Sequence, residues 1–175
     1  MKFRILIVAA AVAAVLSSCK SQYEMLLNSN DADLKYEAAF NYYNEGKYSK
    51  AGSLFESLSV LTNGTQRDDT VRFYWGLSNY KFKDYYTAET NFANFLETYP
   101  RSPFASEARY LRLDCLYRST LRWELDQTPT YKAMTEISEY MIEFPSSPHM
   151  QTCKDIGRIQ KHTRNLSGVF SLDIA

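Results

Sequence analysis

The sequence predicts an all-α fold, a solenoid of about three helix-turn-helix repeats. One observation behind this prediction is a set of small and apolar residues that recurs at a constant offset of 37 residues. Another is a junction of the pattern aromatic-Pro-x-Ser-Pro, which begins at Tyr99 and again at Phe144. Self-similarity at a fixed period of this length is typical of repeat proteins. The recurring positions are Ala39 and Gly76, Tyr48 and Tyr85, Ala51 and Ala88, Phe55 and Phe92, and Leu58 and Phe95.

The first repeat is predicted as two short amphipathic helices. The first starts near Asp31, a candidate N-cap, and runs to Asn44, and the second runs from Tyr48 to Leu61 after a turn at Gly46. A small residue at Ala39 lets the two helices approach closely. The arrangement resembles the tetratricopeptide (TPR) repeat, whose usual period is about 34 residues. Where that repeat usually has an early Trp, this chain has Lys35.

The second repeat follows after a turn at Thr62–Arg67. The period here is longer than that of a TPR, and the extra residues lie in this turn. Its helices are predicted over Thr70–Lys81 and Tyr85–Tyr99, with a turn at residues 82–84. Pro100 ends the second helix, because proline has no backbone N–H and clashes with the preceding turn. Ser102-Pro103 then predicts a new helix, with Ser102 as its N-cap and Pro103 at its first position.

A third repeat lies between the two proline junctions, which are 45 residues apart. Its first helix keeps the 37-residue offset and its second helix keeps the 45-residue offset, so an eight-residue insertion is predicted around Ser119–Thr130. Long loops in regular scaffolds often carry binding sites. Arg122 and Trp123 are therefore candidate residues of a docking loop.

Beyond Met150 the repeat pattern weakens, and two interpretations stay open. Residues 148–162 could form the capping helix that a solenoid needs over its last apolar face. Alternatively, the chain is shortened after the third repeat and residues 154–175 form an unrelated tail, which is the interpretation we favour. Cys115 is predicted to behave as a small core hydrophobe, and a disulfide with Cys153 is the alternative.

The N-terminus has the layout of a secretory signal peptide. Lys2 and Arg4 precede a 12-residue apolar run, Ile5–Leu16, which is too short to cross a bilayer. Leu16-Ser17-Ser18-Cys19 resembles the bacterial lipobox, and this resemblance implies removal of residues 1–18 and acylation of Cys19. An ordinary signal peptide whose cleavage zone contains a Cys is the alternative. Residues 19–30 are then a polar tether, whose apolar residues could dock on the first helix or on another protein, and residues 31–153 form the solenoid.

Composition excludes several function classes. The 20 basic and 20 acidic residues balance, so the chain lacks the charge of a nucleic-acid-binding protein. The two histidines, His149 and His162, stand apart from any nucleophile, phosphate-loop or metal-ligand pattern, and His149 is expected to be exposed. We therefore predict a non-enzymatic binding protein without a cofactor or a metal.

By resemblance to TPR proteins, fixed positions of the first helices line a concave face. An aromatic groove of this kind would suit an extended or helical peptide with large apolar side chains, with Arg118 donating to its backbone. The alternative is that about half of these rings pack between helices. The expected columns are Tyr36, Phe73 and Tyr110; Phe40, Leu77 and Asp114; and Tyr43, Tyr80 and Tyr117.

The lipobox, the repeats and the twice-used proline junction together resemble the BamD-type outer-membrane assembly lipoproteins, from Leu16 to about Cys153. This resemblance implies a lipid-anchored scaffold on the periplasmic face of the outer membrane. Its implied partners are a barrel-assembly protein, other assembly subunits and unfolded barrel substrates, and the bilayer would be contacted through acylated Cys19. A glycan-binding TPR lipoprotein and a general envelope protein-protein adaptor are the alternatives.

Overall fold

The computed structural model describes residues 22–119 and 128–158, apart from the side chains of residues 129 and 130. Every regular element in these ranges is an α-helix, which confirms the predicted fold class. Four sequence predictions lie outside the described residues: the signal peptide at 1–18, the lipidation site Cys19, the docking loop with Arg122 and Trp123, and the tail beyond residue 158.

Eight helices follow one another in these described ranges, and six of them pair into three helix-turn-helix repeats. Each packs mainly on the helices before and after it in sequence, as in a solenoid. The helices are α1 (22–28), α2 (Ala32–Asn44), α3 (Tyr48–Leu61), α4 (Asp68–Lys81), α5 (Tyr85–Thr98), α6 (Ala105–Arg118), α7 (Thr128–Glu143) and α8 (150–158).

The core occupies the positions that the two offsets align. Gly76 shows why a small residue is needed there, since a Cβ at this position would lie 2.8 Å from Cε1 of Phe92. The small residues of the second helices are likewise fully buried, and the large residues of the same helices fill the space between each helix pair. These buried residues are Ala51, Ala88 and Ala133; Phe55, Phe92 and Ile137; and Leu58, Phe95 and Tyr140.

The turns inside the first two repeats have the same geometry. After α2, the N–H of Gly46 donates to the carbonyl of Tyr43 and that of Lys47 donates to Tyr42. After α4, Lys83 and the residue that follows it make the equivalent two bonds, so both turns are Schellman motifs. The motif requires a left-handed residue, which is Gly46 with φ 75° in the first turn and Lys83 with φ 69° in the second.

Replacing Lys83 with glycine is expected to raise the free energy of unfolding by about 1 kcal/mol, because a non-glycine residue is strained at positive φ. Urea denaturation measures the change. The matched control is Gly46→Ala, which should lower stability by a similar amount, since a Cβ at Gly46 meets no atom within 4 Å and its cost is purely conformational. A destabilised Lys83→Gly protein would contradict this explanation of the turn.

The proline junctions differ from the prediction. Helix α6 begins at Ala105, so Ser102 is not its N-cap and Pro103 is not its first residue. Instead, the hydroxyl of Ser102 accepts from the N–H of Phe104 at 3.3 Å and donates to Asp69 at 2.8 Å. A serine hydroxyl that bonds the N–H two residues on forms a turn rather than a helix start, which explains the later start of α6.

Helix α8 covers the open end of the third repeat. Cys153 and Ile156 pack in one core cluster with Leu113, Ile137 and Tyr140, while the opposite face of α8 is exposed. Residues 150–158 therefore lie where the capping-helix interpretation places a helix, over the last apolar face of the third repeat.

The two described cysteines are free thiols in different parts of the core. Cys115 is buried against the second repeat, whereas Cys153 is buried under α8. The prediction that Cys115 acts as a core hydrophobe is confirmed, and its alternative, a disulfide with Cys153, is not formed. Burial raises the pKa of the Cys115 thiol to about 12.

Part of the predicted tether is a docked helix. Lys35, at the position of the usual Trp, is only 2% exposed, and its ammonium donates to the carbonyl of Leu27 at 3.0 Å and to Oγ of Ser57 at 2.7 Å. The hydroxyl of Tyr23 donates to the carbonyl of Lys50 at 3.2 Å. These bonds hold α1 on the first repeat, so residues 22–28 are not a free linker.

Candidate functional site

The first column of the predicted groove is covered along its length. In each repeat a flat side chain from the start of the next repeat lies over the ring. The arrangement joins consecutive repeats and covers one face of each ring, while Tyr36 and Tyr110 stay partly exposed. The pairs are Tyr36 under the Arg67 guanidinium at 5.1 Å, Phe73 stacked on Phe104 at 4.6 Å, and Tyr110 stacked on His149 at 3.7 Å.

Two predictions are corrected by these stacked pairs. Phe73 is 5% exposed and packs with Phe92 and Phe95, so it belongs to the core and does not line a groove. His149 was expected to be an exposed residue, but its ring lies parallel to Tyr110, and its Nε2 is 2.8 Å from Oε2 of Glu107.

The covering residues could have been found from their spacing. Arg67 and Phe104 each follow the ring they cover by 31 residues, and His149 follows Tyr110 by 39 residues. The eight-residue difference equals the insertion in the third repeat. The chemical variety of the covering side chains concealed the pattern, because only their flat shape is shared.

The second column is partly buried between the helices. Phe40 makes edge contacts with Phe55 at 5.0 Å and with Tyr74 at 4.7 Å, and it keeps part of its surface exposed. Leu77 packs against the core of the second repeat and is likewise half-buried. The third member, Asp114, is buried and hydrogen-bonded within the protein.

The third column consists of half-buried tyrosines at the last turns of α2, α4 and α6. Tyr43 makes an edge contact with Tyr48 at 5.4 Å, and Tyr80 makes the equivalent contact with Tyr85 at 5.7 Å. Burial raises the pKa of Tyr43 to about 12, and it also raises the pKa of Tyr80. These tyrosines, with Tyr117, keep one face on the core and leave part of each ring accessible.

Asp114 anchors one tyrosine of the third column, Tyr80, and the neighbouring Arg118. Its carboxylate accepts a 2.6 Å hydrogen bond from the hydroxyl of Tyr80 and a second bond from Nε of Arg118. The Arg118 guanidinium also lies 5.8 Å from the ring of Tyr80 and 5.4 Å from that of Tyr85. Arg118 was predicted to donate to the backbone of a ligand. In the structure its Nε donates instead to the buried carboxylate of Asp114.

The second and third columns keep five partly accessible residues, which we call the tyrosine face: Phe40, Tyr43, Leu77, Tyr80 and Tyr117. Rings of this kind bind apolar side chains through their area and tyrosine hydroxyls add polar contacts. Among the side chains that the structure describes, no cluster of His, Cys, Asp and Glu could hold a metal ion. No helix within the described ranges is both long and apolar enough to span a membrane.

Comparison with known proteins found one relevant match. The family model YfiO, described as outer membrane lipoprotein, matches residues 28–162, more than three quarters of the chain. The match runs past Cys153, where the resemblance was expected to end, and includes α8. A search of curated proteins found no match.

Proposed function

This chain belongs to the YfiO family of outer membrane lipoproteins, and on that premise we propose that it is a non-enzymatic scaffold of outer-membrane β-barrel assembly. In this role it binds segments of unfolded barrel proteins and contacts other subunits of the assembly machinery. The observation that carries the proposal is the combination of the family match with the tyrosine face on three consecutive repeats.

The tyrosine face suits a ligand that runs across the repeats. Tyr43, Tyr80 and Tyr117 occupy the same position in three stacked units, so an extended segment crossing the stack meets one ring per repeat. Barrel strands alternate apolar and polar side chains. Apolar groups spaced along such a segment would meet the row of tyrosine rings, which offer apolar area together with a hydroxyl.

The anchor in this proposal is Cys19. Acyl chains on this residue, each contributing about 0.8 kcal/mol per buried CH₂, would hold the protein firmly on the periplasmic face of the outer membrane. The docked helix α1 supports this arrangement, because it begins three residues after Cys19 and leaves little slack between the lipid and the first repeat.

Shortening of the chain after the third repeat stays a prediction. The genomic reading frame beyond residue 162, where the family match ends, tests it, since further repeats in another frame would identify a truncated member of the family.

Substituting Tyr43 and Tyr117 together with alanine is expected to lower cross-linking to a barrel C-terminal peptide about tenfold, because two aromatic contacts are lost. Tyr80 is left intact, since its hydroxyl bonds the buried Asp114 and its loss would disturb the fold. A photoreactive group on the peptide, followed by mass spectrometry, measures the yield.

The matched control replaces Tyr86 and Tyr131 with alanine, because these exposed tyrosines lie on α5 and α7, away from the tyrosine face. It should cross-link like the parent protein, and thermal melts should show that both variants are folded. Unchanged cross-linking in a folded Tyr43→Ala, Tyr117→Ala protein would rule out the tyrosine face as the binding surface.

A further inference from the structure

The turns of the first two repeats form one basic surface, called here the turn edge. An open pocket of about 430 Å³ lies between the two turns. The acidic neighbours at these turns are Glu45, which pairs with Lys47, and Asp84, which accepts from the N–H of Thr87. Four lysines, all exposed, outnumber these two carboxylates: Lys47, Lys50, Lys81 and Lys83.

Exposed aromatic rings accompany these lysines. Phe82, between Lys81 and Lys83, is 56% exposed, and Tyr86 at the start of α5 is 83% exposed. Basic residues next to aromatic rings are typical of surfaces that rest at the interface of a membrane, where the lysines meet anionic headgroups and the rings reach the acyl boundary.

Helix α1 places the turn edge next to the proposed anchor. Tyr23 bonds the carbonyl of Lys50, and the Lys50 ammonium lies 5.0 Å from the ring of Tyr23. Four residue steps separate Cys19 from Tyr23, and a chain of that length spans at most about 14 Å. Acyl chains on Cys19 would therefore enter the bilayer within that reach of Tyr23 and its neighbour Lys50.

We propose that the turn edge rests on the anionic phospholipid surface of the leaflet that holds the anchor. The inference depends on the acylated Cys19 of the proposed function, and it goes further by fixing which side of the solenoid faces the lipid. Because the chain is formally neutral as a whole, the attraction comes from the local lysine cluster. Each lysine near an anionic bilayer strengthens its binding about fivefold.

Lysine footprinting of the full lipidated protein tests this orientation. The protein is reconstituted into phosphatidylcholine vesicles with or without about 25% phosphatidylglycerol and treated with an amine-acylating reagent. We expect phosphatidylglycerol to slow the labelling of the four turn-edge lysines, Lys47, Lys50, Lys81 and Lys83, severalfold, while Lys154 on α8 labels at an unchanged rate. About 0.5 M salt should remove the difference by screening the charges.

Two charge-matched variants locate the effect. Replacing Lys81 and Lys83 with glutamine should abolish the protection of Lys47 and Lys50. Replacing Arg101 and Lys154, which are exposed outside the turn edge, with glutamine should preserve it.

Equal labelling of Lys81 and Lys83 in both kinds of vesicle would overturn the proposal, and so would loss of protection in both variants. Flotation of the vesicles reports the anchor separately. A chain that floats but shows no protection refutes the turn edge alone, whereas a chain that does not float refutes the anchor and this orientation with it.

Discussion

Replacing Asp68 with alanine should lower the free energy of unfolding by about 2–3 kcal/mol. The carboxylate is fully buried, both of its oxygens lie 3.0 Å from Nε of Arg72, and it accepts a bond from the hydroxyl of Tyr99. The substitution would remove the acceptor that the half-buried Arg72 and Tyr99 share, and it would leave a small cavity in place of the carboxylate. Since Tyr99 belongs to the proline junction, the loss also loosens the connection between the second and third repeats.

Urea denaturation monitored by circular dichroism measures this effect. The control is Asp33→Ala, because Asp33 is 82% exposed in its ion pair with Arg67 and a surface pair contributes less than about 1 kcal/mol. If both variants lost a similar amount of unfolding free energy, the burial of Asp68 would not be the reason for its contribution to stability.

Alkaline pH is expected to destabilise the protein strongly. The fully buried Cys115 has its pKa raised from 9.0 to about 12, so the thiol ionises in the unfolded chain before it ionises in the native state. Such a group contributes stability that is complete below pH 9 and is lost as the pH rises towards 12. At pH 11 the loss from Cys115 is on the order of 3 kcal/mol. Tyr43 and Tyr80, with raised pKa values, add to it above pH 10.

The free energy of unfolding in urea should therefore be several kcal/mol lower at pH 11 than at pH 8. In the Cys115→Ala protein the stability at pH 8 falls because a small cavity is left, but the dependence on pH becomes shallower. An equally steep dependence in this variant would mean that Cys115 is not the principal group. Burial also raises the pKa of the Cys153 thiol, so Cys153 would then be the next residue to replace.

The helical repeats were predictable because small and large core residues recur at a constant spacing in the sequence. Gly76 lies against Phe92, and the equivalent position of the first repeat is Ala39. The 37-residue offset aligns these two small residues, and so identified the positions where helices approach closely. Lys83 was placed correctly in a turn by the same alignment, although a lysine by itself gives no sign of a left-handed conformation.

The polar core was not predictable in the same way. Asp114 fell in a column of expected groove residues, yet it is buried, because Tyr80 and Arg118 supply its hydrogen bonds. Tyr80 and Asp114 lie 34 residues apart, and the positions equivalent to Asp114 in the other repeats are the apolar Phe40 and Leu77. The hydrogen bond therefore does not recur from repeat to repeat and produces no pattern in the sequence. For this reason the sequence indicated the third tyrosine column but not the buried carboxylate that bonds Tyr80.

Phe73 was misplaced for a related reason. An aromatic residue at a regular position of a first helix can face a ligand or a neighbouring repeat, and only the partner side chain decides between them. That partner is Phe104, which lies in the next repeat.

The covered rings also determine how this protein can be divided. Each stacked pair takes its ring from one repeat and its cover from the next, so the natural modules overlap and do not end at the turns between repeats. A fragment cut after Glu143 would keep Tyr110 but lose His149, exposing a ring that the intact chain shields. A repeat that is duplicated or exchanged should therefore be cut after the covering residue. Each transferred ring would then keep the side chain that covers it.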